Sequence, residues 1–271
     1  MNVSLFLATC LLAAGPLVEA SVLDRALDEL RSHAAEAVPV LTPAQHTKLG
    51  RGEVVALYRS PGPSQPCGAL GLVVLAQPRV ELWLAARDDH GEAMADLTTH
   101  LIVRDHDDEV SYGHLRLPWP LEARRWQVRA RDNRNLAAAT GGRAWERHWD
   151  LEPGCAARVV VQRGEISGVS LEDYDRAVAV ATNHGAWIAV ELDSRHTLLG
   201  FSVSTQVGGF IPDELVAQYS VLRMDAILRG VEARAHQVHQ HYVTGHALVR
   251  GGDGVVLPTY APAGVPDVAR R

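Results

Sequence analysis

The most informative run of this chain is residues 208–242, which read GGFIPDELVAQYSVLRMDAILRGVEARAHQVHQHY. After Pro212 the run contains no further proline and a single glycine, so it predicts one long helix from Pro212 to about Tyr242. Proline suits a first helical turn, and Asp213 and Glu214 favour the positive end of the helix dipole. A stripe of apolar residues predicts the face that packs against the core: Leu215, Val216, Tyr219, Leu222, Ile227, Val231 and Val238.

The residues before this helix show the patterns of β-strands separated by turns. We predict strands over residues 53–58, 68–76, 97–104, 109–117, 125–132, 145–151, 157–163, 186–192 and 197–206. Helices are predicted over residues 21–38, 41–48, 78–86 and 171–183. The chain thus begins with short helices, continues with mainly antiparallel strands and ends with one long helix. This order is typical of an α+β domain. We therefore expect a curved antiparallel sheet that wraps the C-terminal helix and leaves an internal cavity.

Residues 1–20 have the pattern of a signal peptide. An apolar run ends at Val18, and cleavage is expected after Ala20. The run is too short to span a bilayer well. We therefore predict an exported protein, either periplasmic or secreted. Two alternatives stay open, namely an apolar first helix that packs on the domain and a lipidated leader at Cys10.

The composition is that of a folded domain. The 271 residues are 47% hydrophobic and 21% charged, which provides enough apolar side chain for a sizeable core. The formal net charge is −6 and no block of lysine or arginine is present, so no nucleic-acid partner is expected. Cleavage would leave Cys67 and Cys155, which either form one disulfide in an oxidising compartment or stay free.

Three motifs resemble those of START domains, in particular the bacterial branch of that family. Residues 117–126 read LPWPLEARRW. This run is similar to a segment of the family in which Pro-Trp-Pro-Leu is followed by an arginine. Residues 185–187 read GAW and precede a paired strand that begins with Thr197. Residues 208–212 read GGFIP, similar to the entry of the family's C-terminal helix. The resemblance covers about residues 49–242, most of the chain.

This resemblance implies a helix-grip fold of the polyketide-cyclase-like superfamily, with an interior cavity that holds a lipid or other apolar molecule. The domain would cover residues 49–243, after an N-terminal helical segment at 21–48 and before a Gly/Pro-rich tail at 244–271. The implied function is binding or transport of the lipid, and transient contact with a membrane is expected. The wider superfamily includes cyclases and hydrolases, so an enzyme on the same fold is the alternative.

The residues expected to contact the ligand are aromatic or apolar, with one arginine. They are Tyr112, Trp119, Arg124, Trp126, Trp149, Trp187, Phe201, Ile211, Leu215 and Tyr219. Each tryptophan either lines the cavity or fills an ordinary core. Arg124 either holds a ligand head group or pairs at the rim. The family often has an acidic residue before this arginine, where this chain has Ala123.

Motifs for catalysis are absent from the sequence. It contains no nucleophile elbow, HExxH motif, paired-cysteine motif or glycine-rich phosphate loop. We therefore expect neither enzymatic activity nor a cofactor. For the enzyme alternative, the acid–base candidates are Tyr112, His114 and Glu191.

We interpret two clusters of polar residues as structural features and not as catalytic or metal sites. Asp107, Asp108 and Glu109 are predicted to form a hairpin turn rather than a catalytic pair. Four histidines crowd the end of the long helix and are predicted to be a solvated face rather than a metal site: His236, His239, His241 and His246.

Overall fold

A computed structural model of the protein describes residues 15–62, 66–87, 97–105 and 108–261. Most of the predicted signal peptide lies outside these residues, so export stays a prediction. The helices are α1 Ala20–His33, α2 Pro43–Gly50, α3 Arg79–Arg87, α4 Arg134–Ala139, α5 Ala156–Gln162, α6 Leu171–Arg176, α7 Asp213–Ala235 and α8 Val238–His241. The strands are β1 Val55–Arg59, β2 Gly68–Leu75, β3 Leu97–Asp105, β4 Asp108–Leu115, β5 Arg124–Asp132, β6 Ala144–Leu151, β7 Val178–Ala179, β8 Thr182–Glu191 and β9 Thr197–Gln206.

Within the described residues, the strands form one curved nine-stranded sheet in the order β1-β2-β9-β8-β6-β5-β4-β3. All pairs along this order are antiparallel, and the short β7 pairs in parallel with β5. Helices α3 and α7 pack on the face that we call concave, and α1, α5 and α6 pack on the opposite, convex face. Strand β2 reads as a continuous apolar run because side chains on both of its faces are buried.

The long helix α7 lies across β1, β2 and β9 on the concave face. Met224 of α7 sits over Gly71 of β2, where the missing side chain allows the helix to approach the sheet closely. The buried residues of α7 are Ala217, Met224, Leu228, Val231 and Ala235. The predicted stripe is therefore wrong in its first half, because Leu215, Tyr219 and Leu222 are exposed on the outer side of the helix. The helix also ends at Ala235, before Tyr242.

Two other predicted elements differ from the structure. Residues 157–163 were predicted as a strand, but residues 157–162 lie in helix α5, because Ala157, Val160 and Val161 recur at helical spacing and pack on the convex face. A short apolar run of this kind fits either element, and packing selects the helix. The predicted helix over 171–183 ends at Arg176, after which the chain enters β7 and β8.

Residues 243–261, which we call the C-terminal segment, include most of the Gly/Pro-rich tail predicted at 244–271, and they pack against the domain. Residues 262–271 of that tail lie outside the described residues. Val249 and Leu257 of this segment are buried in the core between α3 and the sheet. The indole nitrogen of Trp83 donates a hydrogen bond to the backbone oxygen of Arg250 at 3.0 Å. The segment therefore covers one end of the concave face.

Of the two alternatives for Cys67 and Cys155, the structure shows the second, because both cysteines are free. Cys67 is buried at the start of β2, whereas Cys155 precedes α5, whose Ala157 N–H donates to the Gln127 side chain of β5. Strands β2 and β5 are four steps apart in the sheet, or about 19 Å at about 4.8 Å per step. A disulfide needs Cα atoms within about 7 Å.

Candidate ligand-binding site

A group of aromatic rings lies on the concave face beside α7. Trp187 of β8 and Phe201 of β9 are paired across the strands, with ring centroids 4.3 Å apart. Trp149 of β6 follows at 5.8 Å from Phe201, and its indole nitrogen donates to Asn183 at 2.9 Å. Trp126 of β5 lies on the same face, and we call these four residues the aromatic floor. All four are partly exposed to solvent.

Two rings of the aromatic floor, those of Trp149 and Trp126, lie close against glycines of the neighbouring strands. A Cβ atom at Gly185 would lie 2.5 Å from Cζ2 of Trp149, and one at Gly113 would lie 2.5 Å from Cζ2 of Trp126. Any larger residue would lift the ring from the sheet. The glycine of the GAW motif therefore provides the space for the ring of the facing strand.

A buried ionic cluster lies on the same face, and its members are Arg87, Arg104, Glu109, Asp132 and Arg147. Glu109 accepts hydrogen bonds or ion pairs from Arg87 at 2.6 Å, Arg147 at 2.8 Å and Arg104 at 2.9 Å. Arg147 also pairs with Asp132 at 2.8 Å. Burial alone would raise the pKa of Glu109, but the three guanidinium groups outweigh it and lower the pKa. The predicted hairpin is formed, since Asp105 pairs with Asp108 across β3 and β4, and Asp107 lies outside the described residues. Glu109 lies in β4, where it also binds α3, β3 and β6.

A pocket of about 460 Å³ opens at the β3 edge of the sheet, between the end of α3 and the C-terminal segment with α8. We call it the edge pocket. Its apolar wall includes Leu84, Leu101, Val238, Tyr242 and Val249. Its polar wall includes Arg87, Thr99, His100, Arg104 and His246.

The edge pocket and the aromatic floor share one surface. Thr99, which lines the pocket, is paired with Gly113, and the ring of Trp126 lies on Gly113. One end of the pocket therefore lies beside the first tryptophan of the floor. This arrangement offers an apolar path along the concave face, with positive charge at its β3 end.

The structure brings together four of the predicted ligand contacts, those of the aromatic floor. Tyr112 lies on the convex face, where its hydroxyl is hydrogen-bonded to His114 Nδ1 at 3.0 Å and its ring packs on Tyr174. Burial there raises the pKa of Tyr112 and lowers that of His114. These two acid–base candidates therefore do not face the aromatic floor. Glu191, the third, pairs with Arg79 at 3.3 Å.

Arg124 has a structural role that the sequence did not indicate. The residue is 3% exposed, and its guanidinium donates to the backbone oxygens of Val207 at 2.6 Å, Glu122 at 2.5 Å and Gly208 at 3.3 Å. It therefore ties the loop after β4 to the turn before α7. Trp119, in that loop, is 93% exposed.

The remaining predicted contacts lie at or near α7. Ile211 is partly exposed just before the helix, and Leu215 and Tyr219 point outward from it. None of the predicted ligand contacts lines the edge pocket. The pocket residues come from α3, β3, α8 and the C-terminal segment, and no local motif marks them as a group.

The described residues bring together no group of three histidine, cysteine, aspartate or glutamate side chains that could hold a metal ion. His239 instead pairs with Glu81 at 3.2 Å, and its ring packs against Tyr260. Among the helices in the described part of the chain, none is both long and apolar enough to cross a membrane.

No protein-family model matches the chain, and no curated protein sequence matches it. Solved structures do match. A STAR-related lipid transfer protein from Xanthomonas axonopodis aligns with a TM-score of 0.51 and 18% identity, over 68% of this chain and 94% of that one. Human STARD10 aligns with a TM-score of 0.54 and 11% identity, over 79% of this chain and 80% of that one. Human StAR-related lipid transfer protein 5 aligns with a TM-score of 0.51 and 14% identity, over 81% of this chain and 95% of that one.

These matches define the class of architecture as a curved antiparallel sheet that holds a long C-terminal helix. More particularly, the chain has the helix-grip fold of START domains, as its motifs predicted. At sequence identities of 11–18%, these matches show that the folds are similar and do not by themselves show the function.

Proposed function

We propose that this protein binds a lipid or another apolar small molecule on its concave face. The observation that carries the proposal is the partly exposed aromatic floor, which runs into a pocket of about 460 Å³. Ligand sites are typically concave and mostly apolar, with a few polar groups that orient the ligand. Burial of an alkyl chain there would contribute roughly 25 cal/mol per Å² of apolar area, less the cost of association.

Binding is favoured over catalysis by the chemistry of the concave face. Glu109 and Asp132 are both paired with arginines, and the low pKa of Glu109 makes it a poor proton donor. Proteins with this fold include lipid transfer proteins, according to the names of the matching structures. The cyclase- or hydrolase-like alternative would need an acid–base pair facing the ligand.

Two tryptophan variants test the proposal. We expect Trp126→Ala to weaken equilibrium binding of a soluble fluorescent fatty acid by about tenfold, because the apolar contact of one large ring is lost. Trp119→Ala is the matched control, since this ring is exposed in a loop and should leave such binding unchanged. Fluorescence titration without vesicles measures both. Equal affinity of wild type and Trp126→Ala would place the ligand elsewhere, and no binding by the wild type would count against the proposal.

A further inference from the structure

The middle of helix α7 lies next to the aromatic floor. Met224 of α7 sits over Gly71 of β2, and Gly71 is paired with Phe201 of β9. Phe201 is paired in turn with Trp187 of β8. Because neighbouring strands lie about 4.8 Å apart, the first ring of the floor is only one strand away from the contact between the helix and the sheet.

Two hydrogen bonds show which side of α7 faces the floor. On one side, Arg229 donates to the backbone oxygen of Gly52 at 2.7 Å, just before the edge strand β1. On the other side, Arg234 donates to the backbone oxygen of Ala85 in α3 at 3.3 Å. Helix α3 contacts β8, which carries Trp187. The side of α7 that carries Arg234 is therefore the side that faces the floor.

The floor-facing side of α7 carries an arginine in its middle. Residues spaced by three, four or seven positions share one side of a helix. At this spacing from Arg234, the partly exposed residues of this side are Ile227, Arg223, Ser220 and Val216. The hydroxyl group of Ser220 already donates to the backbone oxygen of Val216 at 2.9 Å. Arg223 is thus the group of this stretch that can supply charged hydrogen-bond donors to the floor.

Arg223 has no acidic partner within the described part of the chain. Its Nε is buried and has no hydrogen-bond partner there. The residues three and four positions away from it are tyrosine, serine, alanine and isoleucine, so no carboxylate is available one turn away. Arg229 differs in this respect, because it pairs with Asp225 at 4.0 Å and with Glu232 at 2.8 Å.

A buried donor without a partner favours a ligand that carries an acceptor. Leaving such a donor unpaired costs free energy, which a hydrogen bond from the ligand would recover. The planar guanidinium group matches a carboxylate in particular, because two parallel N–H groups can donate to its two oxygen atoms. Next to Arg223, the rings of Phe201 and Trp187 offer apolar surface for the rest of such a molecule.

We infer that Arg223 binds the polar end of the ligand and that this end is a carboxylate. The apolar part of the ligand lies on the aromatic floor, against Phe201 and Trp187. This inference rests on the proposed function, and it adds the chemical class of the ligand and the residue that selects it.

Three ligands with the same ten-carbon chain test the class of the ligand. Isothermal titration at about pH 8, where a carboxylate is ionised, compares decanoate with decanol and decyltrimethylammonium. We expect decanoate to bind at least about tenfold more tightly than decanol, which corresponds to about 1.4 kcal/mol, and the cation to bind most weakly. Equal affinity for decanoate and decanol, or tightest binding of the cation, would overturn the inference and leave the proposed function intact. Binding of none would overturn both.

Arginine variants test the position of the carboxylate. We expect Arg223→Met to remove the preference for decanoate over decanol and Arg223→Lys to retain part of it. Arg229→Met is the matched control, because it removes the same charge from the opposite side of the same helix and should leave the preference unchanged. Loss of the preference in Arg104→Met but not in Arg223→Met would place the carboxylate in the edge pocket and overturn the assignment.

Stability separates ligand binding from a structural role of Arg223. We expect the urea midpoint of ligand-free Arg223→Met to be no lower than that of the wild type, because no partner is lost and a buried charge is replaced by an apolar side chain. A lower midpoint together with an unchanged preference for decanoate would make Arg223 a structural residue and overturn the inference.

Discussion

Single glycines determine how two rings of the aromatic floor, those of Trp149 and Trp126, lie on the sheet. Gly185 and Gly113 each stand under a tryptophan of the neighbouring strand, so the ring lies along the sheet instead of standing away from it. The same glycines would weaken an ordinary strand, because glycine loses more conformational freedom on folding than other residues. Their presence inside two strands is explained by the close approach of a ring.

A substitution at Gly185 tests this relation. We expect Gly185→Ala to lower the free energy of unfolding by about 1–3 kcal/mol, because its methyl group would overlap both Trp149 and the backbone oxygen of Ser202. Urea denaturation followed by tryptophan fluorescence measures the change. Gly62→Ala is the matched control, because a Cβ at Gly62 would meet no atom within 4 Å. Equal stability of the two variants would show that the ring does not depend on Gly185.

At the scale of the element, the C-terminal segment is part of the domain and not an appendage. It has no long helix or strand, but it hydrogen-bonds both Trp83 and Arg87 through the backbone oxygen of Arg250. It also forms part of the edge pocket through Val249. Glycines and prolines in a sequence indicate the absence of regular structure, and they say little about packing.

Two leucines of this segment distinguish a packed element from a loose tail. We expect Leu257→Ala to lower the free energy of unfolding by about 2–3 kcal/mol, because Leu257 is buried in the core with Tyr242. We expect Leu248→Ala to have an effect below about 0.5 kcal/mol, because Leu248 is mostly exposed. Chemical denaturation of both variants measures the difference. Similar, negligible effects would mean that the segment is not packed in solution.

At the scale of the whole molecule, one end of the protein presents two exposed aromatic rings. Trp119 lies in the loop after β4, and Phe210 lies in the turn before α7; both are almost completely exposed. Arg124 connects these two stretches through their backbone oxygens. Exposed aromatic rings on linked loops are typical of surfaces that contact a partner or a membrane interface.

We propose that this end makes the transient membrane contact expected from the sequence. The double variant Trp119→Ala/Phe210→Ala should bind phosphatidylcholine vesicles at least about tenfold more weakly, because two rings no longer enter the interface. Vesicle flotation measures the bound fraction. Val40→Ala, an exposed valine between α1 and α2, is the control. Unchanged flotation of the double variant would exclude this end as the contact surface.

Much of the fold could be predicted from the sequence, because the relevant signals are local. Pro212 and the run after it predict α7, and most strands follow from their apolar periods between turns. Four members of the predicted site, those of the aromatic floor, do share one face. Tyr112 lies on the opposite, convex face. Alternate residues of β4 point to opposite faces of the sheet, and the alternation alone does not show which of the two sets faces α7.

The sequence by itself determined the long helix and the strands that carry the aromatic floor, since each depends on residue periods, glycines and prolines within one segment, and the helix-grip fold followed from the resemblance of three motifs to START domains. Only the tertiary structure decided which side of α7 is buried, that residues 157–162 are helical, and where the edge pocket lies. The pocket joins side chains from Leu84 to Val249, which no local pattern relates. The ionic cluster beside it likewise depends on long-range pairing, because Glu109 meets Arg87 and Arg147 only when the sheet and α3 are assembled.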